Sequence, residues 1–352
     1  MKILYGINSI GNGHISRARF LLPQLHAAGA DVTCLFSGPA NDNSPFDFSG
    51  LRKAQYKKGL SIDFNNGGVE FLGTSAKLAL QAPRLISDIF SLDTRAYDVV
   101  ITDFEPITAW AAKLKGTPSI GVANHHSFEY DIPKTSPYSP FMMFMNNIVP
   151  VDTPLATHFH HFGQPILPPY KSEMEAGETD PQKILVYLDV ENLQDVIAFL
   201  GKFSDYEFYI YSSQVNISVN NRNLHLRPLS KTGFREDFQT CAGIITNAGY
   251  MTISEALQMG KKLLLKPASG QKEQESNALA LSELGYGATM DSLNPYVLKQ
   301  WLDRDSAVKM SCPDTAQAIV DWVMEGEWAD TSTLIHSLWD QVEVDTVDLD
   351  GI

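Results

Sequence analysis

A chain of 352 residues with 44% hydrophobic residues is long enough for two domains and ordinary for a globular protein. Its net charge of −14 is uneven: nine acids and no Lys or Arg lie between Asp321 and Ile352, leaving a mild −5 elsewhere. With no basic stripe, a nucleic-acid partner is not expected. No run approaches the roughly 20 apolar residues of a membrane span, and no signal peptide is evident. Three widely spaced cysteines, Cys34, Cys241 and Cys312, point to a reduced, cytoplasmic setting.

The first apolar run, Ile3 to Ile7, predicts a strand. Gly11-Asn12-Gly13-His14 predicts a turn, and a helix follows from about Ile15 to Ala28. Ala18, Leu21, Leu22 and Leu25 face inward along it, and Gly29 ends it; Val32 to Phe36 is the second strand. A strand, Gly turn, helix and strand begin a doubly wound sheet. A dinucleotide-binding motif fits poorly. Ser16 stands at the third Gly position of G-x-G-x-x-G, and Ser37-Gly38 replaces the acid expected after the second strand.

Val99 to Thr102 predicts another strand, with Asp103 at its carboxyl end and Glu105 as a rival acid. Ligands of open α/β sheets bind at this edge. An Asp beside a His fixes its tautomer and raises its basicity, but either acid also suits the cap of the next helix. His125 follows the strand Ser119 to Ala123 at the same kind of edge, so Glu105 and His125 are candidates for acceptor contact. The run Phe141 to Met145 reads as a hydrophobic lip for a lipid-linked acceptor or a membrane surface, or as a buried helix. Only Lys134 and Lys171 flank it, which argues for no more than peripheral membrane contact. His158, His160 and His161 lack an acid or Cys at ligand spacing, so no metal is expected.

Residues 1–165 read as one Rossmann-like half. The proline-rich stretch 166–182 is the linker, and Lys183 to Leu188 begins the second half, 183–315. Two helical stretches follow within 316–343, carrying Ile319, Trp322 and Val323, then Leu334, Leu338 and Trp339. Residues 344–352 read as a solvated, partly disordered acidic tail.

The densest signal lies between Ile244 and Gly287. An apolar strand ends at Thr246, and Asn247-Ala248-Gly249 turns, with Gly249 free to take angles other residues avoid. A helix follows to about Met259. Such a helix start offers unpaired N–H groups to phosphates. Glu255, one turn in, can accept from two ribose hydroxyls or merely complement the dipole. Leu263 to Leu265 is a strand closed by Pro267. Glu273, Gln274 and Asn277 open the next helix, and Glu beside Gln supplies both acceptors and donors for sugar hydroxyls.

This stretch resembles the donor-binding signature of the two-domain GT-B glycosyltransferases. It is most similar to family 28, which includes the enzyme adding N-acetylglucosamine to the peptidoglycan lipid intermediate. It is also similar to the UDP-glucuronosyl and plant UDP-glycosyltransferases. The resemblance implies an α/β fold of two Rossmann-like domains facing across a cleft, with the last helix crossing back to the first domain. It implies a nucleotide-sugar donor, most simply a UDP-sugar, with no cofactor or metal. The acceptor is unknown, a lipid-linked or cell-envelope glycan being one candidate. Carried over singly, Thr246, Asn247 and Gly249 would face the donor phosphates and Glu255 the ribose. Glu273 and Gln274 would hold the sugar, and Asn277 the loop or a phosphate. The Gly-His pair of the first turn matches Gly13 and His14, making Gly13 a donor-side residue and His14 the expected base, with Asp103 as its partner. Lys262, Asn247 and Glu273 depart from the family pattern, so the sugar stays open. The expected activity is inverting, metal-independent glycosyl transfer. The alternatives are a nucleotide-sugar 2-epimerase of the same fold and a non-catalytic nucleotide-sugar-binding protein.

Overall fold

The computed structural model describes residues 1–9, 12–38, 53–59, 64–65, 68–69, 71–135 and 147–348. The run Phe141 to Met145 lies outside them.

The first half is a parallel six-stranded sheet. Its strands are β1 (Lys2–Asn8), β2 (Asp31–Ser37), β3 (Ala54–Lys57), β6 (Val99–Asp103), β7 (Ser119–Gly121) and β8 (Thr153–Pro154), in the order β3-β2-β1-β6-β7-β8. Among the described residues, the short strands β4 (Phe64–Asn65) and β5 (Gly68–Val69) pair with each other alone. Strands β1, β2 and β6 are buried along almost all of their length because both faces are covered. One face meets α1 (Asn12–Ala27) through Ala18, Leu21 and Leu25. The other meets α2 (Phe71–Ser91) and α3 (Pro106–Lys115) through Ile89, Ile107 and Ala111.

The second half is a seven-stranded sheet. Its strands are β9 (Asp180–Tyr187), β10 (Glu207–Tyr211), β11 (Val219–Asn221), β12 (Leu224–Arg227), β13 (Cys241–Thr246), β14 (Lys262–Leu265) and β15 (Ala288–Thr289), in the order β11-β12-β10-β9-β13-β14-β15. All pairs are parallel except β11 with β12. Helices α4 (Leu193–Leu200), α5 (Lys231–Thr240), α6 (Tyr250–Gln258), α7 (Lys272–Leu284) and α8 (Pro295–Leu302) connect its strands or flank them. The two Rossmann-like domains each have their own core, and the last helices leave the second. Helices α9 (Thr315–Glu325) and α10 (Ser332–Trp339) bury Ile319, Val320, Trp322, Leu334 and Leu338 in the same cluster as Ile3, Tyr5 and Leu21.

The C-terminal acids are not a loose tail as far as Asp348. Glu343–Asp348 forms β17, antiparallel to β16 (Ser306–Ser311) over six residue pairs. It is an exposed ribbon, so its acids stay solvated while its backbone hydrogen bonds are satisfied. Residues 349–352 lie outside the described part.

In both sheets the order reverses about a central strand, which opens a crevice at the strands' carboxyl ends. In the first, β1 lies between β2 and β6, and Ile7 is level with Asp103. In the second, β9 lies between β10 and β13, and Tyr187 is level with Thr246. The seat of α3 on β1 depends on Gly6: a Cβ there would lie 2.0 Å from Thr108 Oγ1. Gly6→Ala should therefore cost about 1–3 kcal/mol by overpacking. Urea unfolding tests this, and a loss under about 0.5 kcal/mol would show that α3 moves freely.

Candidate active site

The first crevice is built around a buried arginine that the sequence reading passed over. Helix α1 begins at Asn12, earlier than expected, so His14 stands in its first turn and Arg17 one turn on, on the same face. Arg17 is 1% exposed and Asp103 0%. Arg17 grips Asp103 with both arms, Nε to Oδ2 at 2.8 Å and Nη2 to Oδ1 at 2.7 Å. The His14 imidazole Nδ1 lies 2.7 Å from Asp103 Oδ1. Donation from Nδ1–H to Asp103 satisfies both groups and leaves Nε2 as the acceptor; this tautomer is assigned from the hydrogen-bond network. The Arg17 Nη2, also 2.7 Å from Nδ1, then touches His14 without bonding to it. Burial opposes the charge on Asp103, but Arg17 and His14 outweigh it and hold the carboxyl below its ordinary value.

Phe104 follows Asp103 in the left-handed region, at φ 52°, where a bulky residue is strained. Asn8 Nδ2 donates to its carbonyl at 2.9 Å and helps hold it there. The Phe104 ring stacks on His14 at 5.7 Å and meets His125 edge-on at 4.2 Å. His125 therefore does reach the His14 crevice. Burial first, then nearby His126, His14 and Arg17, holds its imidazole well below the ordinary pKa, so it is neutral. Its Nδ1 has no hydrogen-bond partner among the described residues.

Glu105 is a correction. Its carboxylate is 0% exposed and serves as the N-cap of α3. It accepts from Ser37 Oγ, Ile107 N, Thr108 N and Thr108 Oγ1 at 2.6 to 2.9 Å. Four donors occupy both oxygens, and nothing remains to face an acceptor. The signal for this was Pro106, a residue favoured at the first position of a helix.

In the second crevice, Ala248 rather than Gly249 takes the left-handed angle, at φ 64°. Asn277 Nδ2 donates to the Ala248 carbonyl at 3.1 Å and fixes the turn. Asn247 Nδ2 donates to Lys266 O at 2.9 Å, tying the turn to the end of β14. Gly249 is the N-cap of α6 and offers no side-chain cap to the first-turn N–H groups. A Cβ at Gly249 or at Gly13 would meet nothing within 4 Å. Among the described residues, open space therefore lies over both helix starts, and the glycine at 249 keeps the approach to the α6 backbone clear.

Thr246 closes β13 and is buried. Gln274 uses its amide oxygen within the loop, accepting from Ala268 N at 2.8 Å, which leaves its NH₂ as a donor. Glu273 points toward the first half: its Oε1 accepts from Asn124 Nδ2 at 2.7 Å. The sequence reading also missed Lys266, 8% exposed and paired with Glu191 at 2.6 Å on this edge.

Glu255 is crowded by protein yet keeps some exposure, and no protein donor reaches its carboxyl among the described residues. Burial pushes it up to about 7, opposed by Arg19 and Arg235 and helped by Glu173. His158 differs from its neighbours: it is buried, and burial and His160 push it down to about 3. His160 and His161 stack on each other and pack edge-on against Trp339. Among the described residues, no three His, Cys, Asp or Glu groups are arranged to hold a metal ion. No helix of the described residues is long and apolar enough to cross a membrane.

Residues 1–305 match the model of the family described as glycosyl transferase family 1. The chain belongs to that family. It is a glycosyltransferase, and the family implies a nucleotide-sugar donor and an acceptor. A curated glycosyltransferase of Methanosarcina mazei, itself uncharacterized, is 43% identical over 68 residues; the match spans 18% of each chain. The fold is similar to that of SnogD from Streptomyces nogalater, at 16% identity and TM-score 0.55 over 96% of this chain and 99% of that one. It is also similar to Acinetobacter baumannii MurG, at 14% identity and TM-score 0.54 over 92% and 99%. The spinosyn rhamnosyltransferase SpnG is a third, at 14% identity and TM-score 0.57 over 96% and 99%.

The raised Glu255 carboxyl gives a ligand-free test. Its folded value, about 7, exceeds the ordinary Glu value. Folding therefore favours the protonated form, and the stability tied to it is full below the unfolded value and lost as pH rises through about 7. Glu255→Gln removes that loss. In urea unfolding the variant should match the wild type near pH 4 and exceed it by about 1–3 kcal/mol near pH 8. A gap that does not change with pH would mean that Glu255 is solvated normally.

Proposed function

We propose that this glycosyltransferase is inverting and metal-independent and moves a sugar from a UDP-sugar to an acceptor hydroxyl, with His14 as the general base. The observation that carries this reading is the His14–Asp103 pair at the switch point of the first sheet. It stands on an edge that touches the donor-side helix α7 through Asn124 and Glu273.

In the proposed step the acceptor O–H loses its proton to His14 Nε2 as its oxygen attacks the anomeric carbon. The bond from that carbon to the diphosphate breaks, and its electron pair leaves with the diphosphate. Asp103 holds the imidazole in the tautomer that accepts at Nε2 and stabilises the imidazolium. The uncapped N-terminus of α6 faces the leaving diphosphate, where its N–H groups and dipole stabilise the growing charge. That supplies the stabilisation a metal gives in other transferases. Glu255, whose carboxyl has no protein donor among the described residues, accepts from the ribose hydroxyls. Thr246, Asn247 and Gly249 form the wall beneath the phosphates. Gln274 donates to the sugar through the NH₂ that its loop contact leaves over, and Asn277 acts on the loop by fixing the 247–249 turn. Phe104 and His125 line the acceptor side.

A thermal-shift screen of nucleotide sugars identifies the donor, since a ligand of the folded state alone raises stability. Glu255→Ala should then weaken UDP by about 1–3 kcal/mol in calorimetry; unchanged affinity in a folded variant removes the ribose assignment. Transfer to a panel of hydroxyl acceptors, read by mass spectrometry, should survive EDTA. Loss of turnover on chelation, restored by Mg²⁺ or Mn²⁺, overturns metal independence.

His14→Ala should lower turnover by about 10²–10⁴-fold with UDP affinity nearly unchanged. Near-normal turnover would move the base elsewhere, with His125 next in line. Asp103→Asn is the weaker probe, because it also strands the buried Arg17 charge, which costs about 3–5 kcal/mol.

A further inference from the structure

Asn124 is 5% exposed and opens the 3₁₀ helix Asn124–Glu129 that follows β7. It touches both halves of the molecule. Its Oδ1 accepts from Arg17 Nη1 at 2.9 Å, and its Nδ2 donates to Glu273 Oε1 at 2.7 Å. The direction of this chain is fixed by chemistry. A guanidinium has donors only, so the amide oxygen must face Arg17 and the NH₂ must face Glu273. Asp at this position could not donate to Glu273, and Ser is too short to span both partners. Glu273 Oε2 has no protein donor among the described residues.

We infer that Asn124 is a positioning residue for the donor sugar: anchored by Arg17, it holds one oxygen of Glu273 and so aims the other at a sugar hydroxyl. The inference rests on the donor reading above and extends it across the cleft. The guanidinium that grips Asp103 beside the base also orients, through one amide, the carboxylate meant for the sugar. A second contact separates this role from simple domain docking. Thr135 N and Oγ1 bond to Ser276 Oγ at 3.2 Å and Glu275 Oε2 at 3.0 Å. The first turn of α7 is therefore held against the first half without Asn124.

The test compares the binding of UDP with that of UDP-glucose or UDP-N-acetylglucosamine, whichever the wild type binds more tightly. Asn124→Ala should leave the UDP Kd within about twofold and weaken the UDP-sugar about tenfold, as expected for one charge-assisted hydrogen bond. Glu273→Gln should lose a similar factor, and the double variant should lose little more, because both changes break one unit. Asn124→Asp carries the same test if the Ala variant does not fold: it keeps an acceptor for Arg17 but turns a repelling carboxylate on Glu273, so the selective loss should persist. Equal weakening of UDP and UDP-sugar, unchanged UDP-sugar affinity, or additive losses would each overturn the positioning role. A wild type that binds neither UDP nor a UDP-sugar would instead overturn the donor reading, and this inference with it.

Discussion

The crevice depends on the bidentate bond between Arg17 and Asp103. Both side chains are sealed from water, where an isolated charge of either sign is untenable and a pair survives only with good geometry and further hydrogen bonds. Those further bonds are the site itself: His14 on Asp103, and Asn124 on Arg17. The pair forms because β1 and β6 are neighbours and α1 starts above their carboxyl ends. It also limits the chemistry. Asp103 is shared between two donors, so its position is fixed by Arg17, and the imidazole is held in place from one side by Asp103 and from its face by Phe104.

The two crevices share a plan but not a means. The first presents side chains: an imidazole, a carboxylate and an aromatic ring held in a strained backbone. The second presents backbone, as the uncapped start of α6 beside a turn that Asn277 and Asn247 hold from either side. An imidazole suits proton transfer, because one ring nitrogen can accept a proton while a carboxylate holds the other. Backbone N–H groups suit a diphosphate, because they neither titrate nor need a counter-ion. Their meeting point, Asn124 against Glu273, is polar, so the two crevices are joined by hydrogen bonds there rather than by apolar packing.

What the sequence revealed follows the same physics. Buried parallel strands are unbroken apolar runs, so β1, β6, β13 and β14 were legible, and so were the crossover helices with their Gly ends. His14 and Asp103 were legible as a pair because each follows such a strand. Arg17 was not: in Ser16-Arg17-Ala18-Arg19 it reads, like Arg19, as a solvated side chain, and the partners 86 and 107 residues away are what make its burial affordable. Phe104 carries no mark of its positive φ. The turn at 247–249 misled because Gly was the natural choice for the left-handed angle, yet a bond from Asn277 fixes that angle on Ala248. Strand β17 lacked the alternation of a half-buried strand: Val344 and Val347 are three apart, and the ribbon buries almost nothing.

The carboxyls of Glu105 and Glu255 show how burial alone fails to separate structure from function. Burial raises the pKa of both. Glu105 answers it with four short donors, two of them the first N–H groups of α3, and its place is explained in full by the cap. Glu255 feels Arg19 and Arg235 through their charge alone, and no protein donor reaches its carboxyl among the described residues. A carboxyl left so in a folded protein costs stability, and the cost recurs each time the chain folds without a ligand. Such groups persist where something supplies the missing donors. On the proposed reading, the diol of a ribose would supply two hydroxyls to Glu255, and the start of α6 would offer N–H groups to the phosphates of the same molecule. In the proposed donor site, each half of a nucleotide would answer one of these two deficits, the ribose at Glu255 and the phosphates at the start of α6.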